Sequence, residues 1–126
     1  MKHLLLLAML ATAAFGQQTL QDQCARAIPQ AFSVSSVSGN NQIVALNASG
    51  PMVICHISFN ASTAVNIKLT TGTGTNCGTG TADLTGLYYN ATGLVLPAFR
   101  IGTGVALCIN FSGTVSAGGM YTAVAI

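Results

Sequence analysis

Residues 64–70, AVNIKLT, alternate without a break, with Val65, Ile67 and Leu69 on one side and Asn66, Lys68 and Thr70 on the other. A period of two marks a half-buried strand, because successive side chains of an extended chain leave on opposite faces. The pattern returns at residues 52–60, where Val53, Cys55, Ile57 and Phe59 are expected inward and His56, Ser58 and Asn60 outward. It returns again at residues 105–112, with Val105, Leu107, Ile109 and Phe111 inward and Cys108 and Asn110 on the opposite face. Residues 61–63 read as a hairpin link and residues 113–119 as a loose hairpin, with further strands at 42–47, 86–90, 94–96 and 120–126. Only residues 18–27 suit a helical turn or two. Short β-branched runs separated by Gly, Asn and Ser predict an all-β chain, a single antiparallel β-sandwich of jelly-roll-like form.

The chain opens with Lys2 and His3, then a leucine-rich block, then small residues ending at Gly16. That is the layout of a secretory signal peptide, whose apolar block is too short for a membrane-spanning helix. Residues 1–16 are therefore read as a signal-peptide helix and residues 17–126 as one exported domain with no membrane span after cleavage. All four cysteines, Cys24, Cys55, Cys77 and Cys108, fall in the exported part and are expected to form two disulfides. Three connectivities are possible; Cys24 with Cys55 and Cys77 with Cys108 is favoured, because Cys108 faces away from the core and can meet a loop. The segments GPMVICHIS and GVALCINFS look alike, and Cys55 and Cys108 each have a cysteine at the same distance upstream. That likeness reads as the common grammar of a buried strand more than as pseudo-symmetry.

Charge narrows the function. The exported part has Arg26, Lys68 and Arg100 against Asp22 and Asp83, and the chain has neither glutamate nor tryptophan. Nucleic-acid binding needs clustered cations, so that partner class is set aside. Glycoside hydrolysis needs paired carboxylates, and a catalytic triad would require Asp22 or Asp83 to fold against His56 without any nucleophile elbow. No enzyme activity is expected. An outer-membrane barrel is disfavoured by the missing tryptophan and aromatic girdles.

The stretch TTGTGTNCGTGTADLTG, residues 70–86, matches neither the dinucleotide fingerprint nor the phosphate loop, and Asp83 is its sole carboxylate. It reads as a turn pinned by Cys77, with no metal and no cofactor. Tyr89, Asn90 and Tyr121 are the candidate ligand-binding residues, suited to a small sugar platform; of the adjacent Tyr88 and Tyr89, one is expected in the core. Asn47, Asn60, Asn90 and Asn110 begin Asn-x-Ser/Thr sequons.

The run GTGTNCGTGTADLTG, the upstream VICHISFNASTAVNIKL and the later GVALCINF resemble a group of small bacterial and phage-associated β proteins. The resemblance covers about residues 42–126 and implies a disulfide-braced β-sandwich, often in a phage structural setting; the export signal departs from that setting and argues against a virion role. No functional residue carries over. The resulting expectation is a secreted, non-enzymatic structural or assembly protein that meets copies of itself or another extracellular protein. A carbohydrate- or surface-binding adhesion module, with a glycan as partner, is the alternative.

Overall fold

The computed structural model describes residues 20–126; the signal peptide expected over residues 1–16 lies outside the described residues. A short helix, α1 (Leu20–Cys24), precedes β1 (Gln30–Val44) and β2 (Met52–Thr73). After a 3-10 turn (Thr75–Cys77) come β3 (Thr79–Asp83), β4 (Tyr88–Leu96), β5 (Phe99–Ile101) and β6 (Ala106–Ala125). Among the described residues the strands form one six-stranded antiparallel sheet that is not closed. Its order is β1, β6, β2, with β5, β4 and β3 following one another along the far side of β2. The all-β, antiparallel expectation holds, and α1 falls inside the segment expected to be helical. The sheet is continuous, where the expectation had two packed layers.

Every ladder joins a strand that ends by Thr73 to one that begins at Thr79 or later. The order β1-β6-β2-β4 is unchanged when β1 is exchanged with β4 and β2 with β6. Each central strand is also tied by a disulfide to a short helical turn: β2 through Cys55 to α1, and β6 through Cys108 to the 3-10 turn. The likeness of the two cysteine strands thus has an architectural counterpart, a two-fold layout.

A crease crosses the strands at one level. The β1–β6 register slips between Val34 and Gly39, the β2–β4 register between Asn60 and Val65, and the β2–β6 ladder is interrupted between Ala61 and Ile67. Side-chain oxygens replace carbonyl partners there. Ser116 N–H donates to Ser62 Oγ (3.1 Å), Asn66 N–H to Ser112 Oγ (3.0 Å), and Asn90 N–H to Asn66 Oδ1 (3.0 Å). Satisfying these amides lets the strand bend without orphaned donors. Residues 61–63 are consequently no hairpin: β2 runs straight through them, and the polar residues that suggested a turn serve the bend. Ser36 and Asn90 take left-handed φ of 53° and 48° on the two flanking strands of the same line.

The crease folds the sheet's inner face on itself. Phe111 stands opposite Ile67, eight residues beyond Phe59 on β2, a separation of ~26 Å along a flat sheet. Their ring centroids are 6.2 Å apart, edge to face. Ile54, Ile57, Ile67, Leu69, Leu107 and Ile109 complete this core, each fully buried. Residues 113–119 likewise belong to a continuous β6. Gly119 lies opposite both Phe32 and Phe59, whose rings meet above it with centroids 6.3 Å apart. Gly119, one of the glycines that suggested a hairpin, makes room for aromatic rings.

Within the run expected to alternate over residues 52–60, the period fails at Cys55. Ile54 pairs with Ala123 and His56 with Thr122, so two residues of β2 oppose one bond of β6, a β-bulge. Ile54 and Ile57 therefore share the inner face, while Cys55, expected to point inward, turns to the outer side and joins Cys24. This corrects the inward reading of Val53 and Cys55; Val53 is fully buried but outside the main core, opposite Val124 beside α1.

On the outer face of the other half, Cys77, Ala106 and Cys108 form a second buried cluster. The turn approaches so closely that a Cβ on Gly72 would lie 2.9 Å from the Cys77 carbonyl oxygen. Lys68 and Asp83 pair across β2 and β3 at 2.7 Å, with 28% and 58% of their side chains exposed. Solvent screens such a pair, so Lys68→Ala is expected to lower stability by less than ~1 kcal/mol in urea titration.

Candidate functional site: the two sheet edges

Within the 70–86 stretch, expected to be one pinned turn, residues 70–73 complete β2 and Thr79–Asp83 form β3, so the turn pinned by Cys77 is the short segment between them. Asn76 and Cys77 adopt left-handed φ of 50° and 55°, and Gly74 reaches 71°. Gln42 N–H donates to Asn76 Oδ1 at 3.1 Å, Thr81 Oγ–H donates to the Cys77 carbonyl, and Cys77 is bonded to Cys108. Asn76 and Thr81 are thus directed at the protein's own backbone. Among the described residues no three of His, Cys, Asp and Glu stand together.

Both favoured disulfides are present, Cys24–Cys55 and Cys77–Cys108, and they indicate an oxidising environment. Their surroundings differ: Cys77 and Cys108 are fully buried, whereas Cys24 and Cys55 are half-buried. Thiol exchange needs access to a sulfur. A mild reductant without denaturant is therefore expected to open Cys24–Cys55 first, which alkylation and peptide mass mapping would show; simultaneous opening would contradict the burial argument.

The candidate ligand residues do not lie side by side. Tyr121 is on β6 opposite Ile57, half-buried against the core, with its Oη donating to Gln30 Oε1 at 2.7 Å. Tyr89 and Asn90 lie on β4 next to Tyr88, which is opposite Ile67, ten residues beyond Ile57 on β2. Tyr89 is 75% exposed and Tyr88 half-buried on the other side of β4, but neither belongs to the core, where one of them was expected. His56 is exposed at the bulge, while Asp83 is engaged by Lys68 at the far end of β2. Of the sequons, Asn60 and Asn90 are exposed; Asn110 donates to Asn40 Oδ1 (2.7 Å), and Asn47 Oδ1 accepts from Ser49 N–H (3.2 Å).

What sequence reasoning missed is the pair of edges. β1 is 15 residues long, QAFSVSSVSGNNQIV, without charge or proline, and pairs only with β6 among the described residues. Its end near Gln42 is covered by the 3-10 turn through Asn76, leaving the stretch from Gln30 to Val37 as the open part. The opposite edge is broken into pieces of 5, 9 and 3 residues. β4 and β5 keep one register, Leu96 opposite Ile57 and Phe99 opposite Ile54, interrupted at Pro97, which has no N–H. Natural sheets blunt edges by shortening them and by adding charge or proline, and only the β3–β5 side shows such treatment. An apolar groove of about 220 Å³ lies on that side, lined by Leu84, Thr85, Leu96, Pro97, Ala98 and Phe99.

No protein-family model, curated protein or solved structure matches the chain.

Proposed function

We propose that this is a secreted, non-enzymatic structural protein that assembles through its sheet edges, its creased sheet serving as the two layers of a jelly-roll-like sandwich. The observation that carries the reading is β1, an uncharged strand that among the described residues pairs only with β6, which makes its stretch from Gln30 to Val37 a sheet edge. An added strand there gains ladder hydrogen bonds with no charge to desolvate. The near absence of charge elsewhere removes the electrostatic repulsion that keeps most small proteins apart. Asp83 is held by Lys68 at the far end of β2 from His56, which removes one of the two carboxylates, Asp22 and Asp83, that a triad would need.

Light scattering and negative-stain microscopy of residues 17–126 test it. Mass that rises with concentration, and ordered particles or fibres, are the expected result; a monomer at every concentration would end the proposal. Tyr89, projecting from β4, favours the adhesion alternative instead. That reading expects a glycan-array signal abolished by Tyr89→Ala.

A further inference from the structure

Building on the assembly reading, we infer that the partner is a second copy of this chain, added head to tail so that β1 of one copy lies antiparallel beside β4 of the next. Three features lead there. The first is strand direction. Across the sheet the order β1-β6-β2-β4 alternates direction at each step, so β1 and β4 run opposite ways on opposite edges. A copy displaced sideways in the plane of the sheet therefore presents β1 to β4 in the antiparallel sense, and the alternation continues unbroken. Each copy adds four strand spacings, about 19 Å, to the extended sheet.

The second is a matching knob and hole at one level. Gln30, Tyr121, Ile57 and Leu96 form one row across the four strands. Ile28, two residues before Gln30, is 77% exposed and leads directly into the β1 edge. The apolar groove begins at Leu96 and runs to Phe99 on the opposite edge. A sideways displacement that keeps Gln30 in the row of Leu96 brings Ile28 of the incoming copy opposite Ala98, in the middle of that groove. Its volume of about 220 Å³ accommodates one aliphatic side chain.

The third is electrostatic. Neither β1 nor β4, YYNATGLVL, carries a charged residue, so the paired strands themselves bury no charge, and the nearest cations, Arg26 and Arg100, lie exposed beyond the end of the pairing. A two-fold β1–β1 pairing is also antiparallel, but it places Ile28 beyond the far end of the partner's open stretch, away from the groove. Contacts between two different edges do not close on themselves in a two-fold dimer; they propagate as a ring or filament.

The same displacement sets Ala31 beside Val95, since Ala31, Met120, Ser58 and Val95 form the neighbouring row, and both end residues are exposed. The test mixes two single variants, Ala31→Cys and Val95→Cys, one carrying a mass tag, after peptide mapping has shown both native disulfides intact in each. Air oxidation is expected to give the mixed cross-link, position 31 of one copy to position 95 of the next, in preference to either like pair. A predominant Ala31→Cys self-cross-link would overturn the inference in favour of a two-fold β1 contact. Assembly by light scattering without the mixed cross-link would also overturn it, while leaving the assembly reading in place; absence of any assembly would remove both. Ile28→Asp, which changes an exposed side chain and leaves the folded monomer intact, is expected to weaken association roughly tenfold or more, the scale of losing one buried isoleucine. Unchanged association in that variant would contradict the knob-and-hole contact.

Discussion

Removing the Cys77–Cys108 disulfide, by replacing both residues with alanine, is expected to lower stability by about 4 to 5 kcal/mol. Replacing Cys24 and Cys55 in the same way is expected to cost about 3.5 to 4 kcal/mol. The two bridges span the same sequence separation, 31 residues, so the chain-entropy model assigns each the same value, about 3.5 to 4 kcal/mol. The native environments separate them. Cys77 and Cys108 are fully buried and form the second cluster with Ala106, so their loss also leaves a void between the 3-10 turn and β6. Cys24 and Cys55 are half-buried and anchor a helix of only 5 residues, whose release uncovers less. Guanidinium titration of the two double variants reads the difference directly. Equal losses would mean that burial around the second bridge contributes nothing beyond loop closure.

Gly119→Ala is expected to cost about 3 kcal/mol, with little effect from Gly118→Ala next to it. A Cβ at 119 would lie 2.0 Å from the Ser58 carbonyl oxygen and 2.6 Å from Phe59 Cα, both backbone atoms of the central ladder that cannot step aside. Relief requires β2 and β6 to part at the row where Phe32 and Phe59 meet. At 118 the nearest atom is the Phe32 carbonyl oxygen at 3.5 Å, an ordinary contact, and the side chain would emerge on the outer face. Denaturant midpoints of the pair make a controlled comparison, because both substitutions stiffen the unfolded chain alike. A small loss at 119 would mean that the two strands are not packed as closely as their register implies.

Where the sequence speaks plainly, local alternation is undisturbed. Ile67 and Leu69, and Leu107, Ile109 and Phe111, are buried on the face their period assigns, and Cys108 lies opposite them, which is why its pairing with Cys77 is legible. At Cys55 the bulge inserts a residue, and a one-residue slip exchanges the two faces for everything on one side of it. The same ambiguity hides the crease: Ser62, like Gly118 and Gly119, is a residue type shared by turns and by bent or closely packed strands. Only the apolar end of β1 reads as a strand, because its first half, QAFSVSSV, carries the polar residues of an edge. The edges themselves are a property of strand order, which no local pattern encodes, so the candidate interaction site is invisible without the order β1-β6-β2-β4.

That every ladder links an early strand to a late one bears on how the polypeptide behaves before it folds. During synthesis, β1 and β2 emerge without their central partner, which is not complete until residue 125 is made. Among the described strands, the first half therefore has no native ladder to form until the second half is made.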